Sequence, residues 1–370
     1  MPDQPLRLLG VADARSINVA RWARRLAERG HEVHLVSDRL PSNGAVDRVT
    51  VHDVRNLGLV TRVPGLRRGR IGPAVGALAR RLGVDLVHAH YLLPYGYWAA
   101  QAERHPLVMS PWSRDIFVDA QESEQGRRRA VASIAAADFL VVNSDANRRA
   151  SIELGADPDR IEEIIWYSEL ERFAPDRAEQ GMRARLGWPE DTLVVLSLRN
   201  FRPYTNLDVV LRAFTRVVRD EPRARLLLAA RGGPSKAETE ALVDELGIRP
   251  LVAIERVEWE DLPGVVAAAD VAVTIASSDS TPASLLEAMA SALPVVAGRT
   301  WSIDEWISEE EGGALIECRD EDAVTLALQA LLADPELRRR HGERNERYVR
   351  AKLGDPGEQL EQLYVRLLGR

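Results

Sequence analysis

One cysteine, Cys318, stands in 370 residues, which excludes an intramolecular disulfide and a thiolate zinc cluster. Lysine is almost as scarce: only Lys236 and Lys352 occur, so arginine carries nearly all the positive charge. No apolar run approaches the ~18–20 residues that a spanning helix needs. The opening MPDQPLRLLGVADARS has an early acid and too short an apolar run for a signal peptide, so the chain is expected in the cytoplasm. The first strand-to-helix turn, GVADARS, is not G-x-G-x-x-G, so the dinucleotide fingerprint is missing. A net charge of −7 and the lack of a recognition motif argue against a nucleic-acid binder. His88 and His90 lie two apart on an extended segment, but no third ligand follows at metal spacing, and no metal site is expected.

What is present is an ordinary globular composition, 45% hydrophobic and 28% charged, over a length that suits two domains. Short apolar, β-branched runs alternate with amphipathic stretches along the whole chain. Strands are expected at Leu6–Val11, Glu32–Ser37, Asp85–His90, Leu107–Ser110 and Ala137–Ser144, then at Thr192–Leu198, Leu226–Ala230, Leu251–Ile254, Val271–Ile275 and Gly313–Glu317. Such alternation is α/β, with two doubly wound, Rossmann-like domains. The crossing between them is placed between Phe173 and Asp191, giving domains at 1–173 and 174–352 and a terminal helix at 353–370.

The chain is organised around Ser277–Val296, SSDSTPASLLEAMASALPVV. It reads as the end of a buried strand, a polar turn, a helix and another strand, with Asp279 on the turn and Glu287 inside the helix. A loop at the carboxyl end of a parallel strand, feeding a helix N-terminus, is where α/β proteins place ligands and phosphates. Taken alone, such an acidic pair is a cap and a solvated helix face. The surrounding residues change that: the stretch resembles the signature of the group 1 (family 4) retaining glycosyltransferases of the GT-B fold. That signature is an acidic residue, seven residues, then Glu, followed by Ala-Met-Ala and a Pro-Val-Val strand. Asp279 stands where the family usually has Glu.

The resemblance covers most of the chain. It implies two domains facing across a cleft, with the C-terminal helix crossing back to the N-terminal domain. It also implies transfer of a hexosyl unit from a UDP- or GDP-linked sugar to a glycan, lipid-linked or small-molecule acceptor, without metal or cofactor, as in cell-envelope polysaccharide synthesis. Arg199 and Asp279 would be catalytic, and Glu287 would meet the ribose. Arg202, Gly232, Gly233, Ser280, Thr281 and Ala283 would complete the donor side, and Asp13, Asn18, His90, Trp112 and Asp115 the acceptor side.

Besides Asp279, four further sites depart from the family pattern. Asn18 replaces a histidine, Ser113-Arg114 a Gly-Ser, and Tyr167-Ser168-Glu169 a Gly-Val-Asp turn. The family's diphosphate-binding lysine falls on Tyr204 or Thr205. A degenerate relative that binds a nucleotide sugar or a partner transferase without catalysis is therefore the alternative. Finally, Arg55, Arg62, Arg67, Arg68, Arg70, Arg80 and Arg81 fall within Val54–Val84 with no acid among them. Such a run is a solvated surface, or a contact with a phosphorylated acceptor or with the inner face of a membrane.

Overall fold

The computed structural model describes residues 4–41, 45–58, 70–308 and 311–370. Its contacts divide the chain into two compact units, Met1–Tyr167 with Asp355–Arg370, and Ser168–Gly354.

The first unit is built on β1 (Arg7–Val11), β2 (Glu32–Ser37), β3 (Thr50–Asp53), β4 (Leu86–His90), β5 (Leu107–Ser110), β6 (Phe139–Val142) and β7 (Ile161–Glu163). These strands form one parallel sheet in the order β3-β2-β1-β4-β5-β6-β7. A parallel sheet is covered on both faces, which is why β1, β4 and β5 read as nearly unbroken apolar runs. The helix Ile17–Glu28 buries Val19, Trp22, Ala23 and Leu26, a 3.6-residue stripe. The edge strand β3, TVHD, is short, mixed in polarity and only half-buried, so no periodicity announces it in the sequence.

The last helix, Pro356–Leu367, belongs to this first unit, and Tyr364 fastens it. Fully buried, Tyr364 accepts a hydrogen bond from Trp22 Nε1 at 3.1 Å, and its hydroxyl lies 2.5 Å from His88 Nδ1. His88 Nε2 lies 2.8 Å from Ser110 Oγ. Burial drives the His88 imidazole down to about 3, so the ring is neutral. Its Nδ1 then accepts from Tyr364, and its Nε2–H donates to Ser110.

The second unit repeats the plan with β8 (Leu193–Ser197), β9 (Ala224–Ala229), β10 (Val252–Glu255), β11 (Val271–Thr274), β12 (Val295–Gly298) and β13 (Gly313–Ile316). Their order is β10-β9-β8-β11-β12-β13, again all parallel. The helix Leu207–Asp220 places Val210, Leu211, Phe214 and Val217 in the core under this sheet. The division of the chain falls after Tyr167, ahead of the Phe173–Asp191 crossing read from the sequence. Residues 168–173 go with the second unit because Phe173 is fully buried there. Its ring packs 5.9 Å from that of Trp259, and its carbonyl accepts from Arg350 at 2.8 Å.

Candidate functional site

In the second sheet the chain winds outward from β8 through β9 to β10, and from β11 through β12 to β13 in the opposite direction. The loops leaving the carboxyl ends of β8 and β11 therefore part, and the crevice between them is the topological switch point where open α/β sheets bind ligands. Arg199 comes from the loop after β8 and Asp279 from the loop after β11. Their side chains form an ion pair and are only 12% and 21% exposed. Arg199 Nη1 also lies 3.4 Å from Ser284 Oγ, while its Nε is buried with no hydrogen-bond partner among the described residues. Asp279 Oδ1 accepts from the amide of Ser280 at 3.0 Å.

Glu287 lies in the helix Ala283–Ala290 and is 5% exposed, so it does not solvate an outer helix face. Ala283 opens that helix, and Pro282 is its cap residue. Ser280 and Thr281 are buried and reach the segment after β12. Ser280 Oγ lies 3.3 Å from Ser302 Oγ, and Trp306 Nε1 donates to Thr281 Oγ1 at 3.2 Å.

Gly232 and Gly233 serve first to join the loops after β8 and β9. Phe201 N donates to Gly232 O at 3.1 Å, and Ser235 N donates to Phe201 O at 3.2 Å. Gly233 has φ +152°, and a Cβ there would stand 2.0 Å from Phe201 O, so only glycine permits this contact. Arg202 is exposed on the same loop. Thr205 is turned inward, its hydroxyl donating to Arg202 O at 2.7 Å, while Tyr204 is exposed. Neither of the two residues at the lysine position supplies a cation.

The switch point of the first unit lies between β1 and β4. Beside it is a cavity of about 480 Å³ whose lining includes Asp13, Asp38, His90, Tyr95, Trp112 and Arg114. Asp13 takes ion pairs from Arg15 at 3.2 Å and Arg39 at 3.3 Å, and Tyr95 OH donates to Asp38 at 2.8 Å. His90 is buried among the rings of Trp22, His88 and Trp166, with centroids 4.8, 4.3 and 4.5 Å away. Neither of its ring nitrogens has a hydrogen-bond partner among the described residues. Burial, with His88 alongside, holds it far below the ordinary imidazole range.

Asn18 is not among the described residues that line this cavity. Asp115 stands behind the wall instead of in it. Its Oδ2 accepts from Leu92 N at 2.7 Å and its Oδ1 from Trp112 N and Ser113 N at 3.0 Å each, tying the loop after β4 to the loop after β5. Burial pushes this carboxyl up to about 6, although the amide donors pull the other way. Asp38, Tyr95, Ser302 and Trp306 are contributions that no local pattern marks, because separate segments bring them in.

Of the arginine run, Arg62, Arg67 and Arg68 lie outside the described residues. Arg55 pairs with Asp53 at 2.6 Å, and Arg80 and Arg81 close the helix Ile71–Leu82, where cations suit the helix dipole. Among the described residues there is no group of three His, Cys, Asp or Glu placed to hold a metal, and no helix long and apolar enough to cross a membrane.

Two Rossmann-like domains, the second with an Arg–Asp pair at its switch point, are the architecture of the GT-B glycosyltransferases. The chain belongs to the group 1, family 4 glycosyltransferases. Residues 179–348 match the family model described as glycosyl transferases group 1, and residues 17–164 match that of Glycosyltransferase Family 4. A D-inositol 3-phosphate glycosyltransferase of Kineococcus radiotolerans is 32% identical, over 92% of this chain and 87% of that one. The fold is similar to that of sucrose-phosphate synthase from Thermosynechococcus elongatus, with a TM-score of 0.81 at 21% identity, over 99% of this chain and 100% of that one. It is also similar to Anabaena HepE solved with UDP-glucose, with a TM-score of 0.78 at 17% identity, over 98% and 99% of the two chains.

Proposed function

We propose that the chain is a retaining, metal-independent hexosyltransferase that takes a UDP- or GDP-linked sugar at the β8/β11 crevice and passes the sugar to an acceptor hydroxyl. The observation that carries this reading is Arg199: a half-buried guanidinium at the carboxyl end of β8, with Nε unpartnered among the described residues. Departure of a nucleoside diphosphate develops negative charge on the outer phosphate, and a planar fork of N–H donors answers that charge. The helix opening at Ala283 adds the positive end of its dipole. Asp279, once released from Arg199, accepts from a hydroxyl of the transferred sugar, and Glu287 from the ribose. Gly232, Gly233, Ser280 and Thr281 shape the donor crevice, and Arg202 is the further cation on its rim.

The acceptor side is the first unit's cavity, with Asp13, His90 and Trp112 at hand. Support for a uridine donor comes from HepE, which has been solved with UDP and with UDP-glucose. Support for a polyol acceptor comes from the D-inositol 3-phosphate glycosyltransferases at 26–32% identity. A cytoplasmic enzyme meeting the inner membrane face through Arg55–Arg81 remains part of the proposal, in cell-envelope polysaccharide synthesis. A second reading, a degenerate protein that binds a nucleotide sugar or a partner transferase without catalysis, is favoured by Tyr204 and Thr205, neither of which brings a charge to the lysine position.

A thermal-shift panel of UDP, GDP, ADP and their sugars tests the proposal, followed by assays of donor hydrolysis and transfer. One nucleotide series should stabilise the chain by roughly 2.7 kcal/mol at 100 times its Kd. Turnover of that donor supports the transferase. Binding with no turnover moves the conclusion to the second reading, and no binding by any member contradicts the transferase and leaves only a binder of a partner transferase.

A further inference from the structure

Asn206 carries no role in the family resemblance, and its surroundings give it one. It is 1% exposed and sits at φ 52°, ψ 38°, the left-handed conformation that asparagine tolerates better than most residues. Its carbonyl accepts from Val209 N and Val210 N at 3.1 and 3.3 Å, starting the helix Leu207–Asp220. The side-chain amide works in other directions. Nδ2 lies 2.8 Å from Ile275 O, 2.9 Å from Ser277 Oγ and 3.2 Å from Cys318 O. Oδ1 accepts from Arg319 Nη1 at 3.1 Å. A parallel stitch runs beside it, where Ser277 N donates to Tyr204 O at 2.8 Å.

One residue thus ties together the carboxyl ends of three strands: the loop after β8 that carries Arg199, the loop after β11 that carries Asp279, and the loop after β13. We propose that Asn206 is the positioning residue of the donor crevice, setting the separation of Arg199 and Asp279 through Ile275 and Ser277. This rests on the reading of that crevice as the donor site. Donors to a reacting phosphate must be held within a few tenths of an ångström, and the Arg199–Asp279 pair cannot itself supply that hold once a diphosphate enters between them. The amide is matched end for end, Nδ2 toward two carbonyls and Oδ1 toward a guanidinium. A carboxylate there would face the Ile275 and Cys318 oxygens with no proton to give.

Two variants separate positioning from folding, with the donor found in the nucleotide panel as probe. Asn206→Gly keeps the left-handed backbone without strain and removes only the stitch. It should unfold within a few degrees of wild type, yet lose about tenfold or more in kcat with the acceptor KM unchanged. Asn206→Asp should be equally slow from pH 6 to 8, because its carboxylate, facing Arg319, has no proton to donate to Ile275 O. Wild-type kcat in either variant would overturn the proposal. So would a loss of kcat that merely tracks the unfolded fraction. A wild-type chain that binds no nucleotide sugar would overturn the donor-site reading beneath it, which is a distinguishable failure.

Discussion

Arg199 and Asp279, 80 residues apart in sequence, hold each other across the crevice between β8 and β11. The pair neutralises the cation that the proposal assigns to the diphosphate. Under the proposed donor site, a donor would compete with Asp279 for the guanidinium, and the carboxylate freed by that exchange would become available to the sugar. The shorter Asp in place of the family's Glu, and the uncharged Tyr204 and Thr205 in place of its Lys, both bear on this exchange.

Replacing Asp279 with Asn should separate the two roles. Nucleoside diphosphate binding should tighten by about tenfold, since hydrogen bonds to a charged group contribute roughly 1.5–3 kcal/mol and the internal competitor is gone. Sugar transfer should fall at the same time. Calorimetry with UDP and GDP checks the first effect and steady-state kinetics the second. Unchanged or weaker diphosphate binding would show that Asp279 does not compete.

Tyr364→Phe should destabilise the first unit by about 1–3 kcal/mol, because Trp22 Nε1 loses its acceptor and His88 Nδ1 its donor in a buried setting. Chemical denaturation reads the change. Activity well below the melting temperature should stay close to wild type, because the hydroxyl works only inside the fold.

Asp115 makes stability fall with rising pH. Its carboxyl titrates near 6 in the folded chain against an ordinary value of 3.8, so the native state holds the proton more firmly. The stabilisation is complete below about pH 4 and is lost as pH rises through 6, up to about 3 kcal/mol at 1.36 kcal/mol per unit. Asp115→Asn removes the titration. The stability of wild type relative to this variant should therefore drop between pH 4 and 7 in urea titrations, and a constant difference would contradict the assignment.

Much of this molecule is legible in its sequence, for physical reasons that also mark the limits. The buried strands β1, β4 and β11 and the helix Ala283–Ala290 show in runs of apolar residues, because burial on both faces leaves little choice of side chain. Asp279 and Glu287 stand out through the resemblance of Ser277–Val296 to the family signature. The short edge strand β3 does not show, since one side of an edge meets water and tolerates His52 and Asp53. Nor does the work of Asp115. Its motif placed it with the acceptor, whereas the fold turns its carboxylate onto three backbone amides that no pattern in the sequence connects. Asn206 is hidden for the same reason: its partners Ile275 and Cys318 lie 69 and 112 residues away.

The most direct test of the donor site is turnover by Arg199→Ala, measured with the nucleotide sugar that stabilises wild type best and with NMR following both nucleotide release and the anomeric proton of the product. Wild type should give a product with the donor's anomeric configuration, and the variant should be slower by at least ~100-fold, the scale of losing one transition-state donor. Equal turnover by the two proteins would contradict the placement of the diphosphate at Arg199.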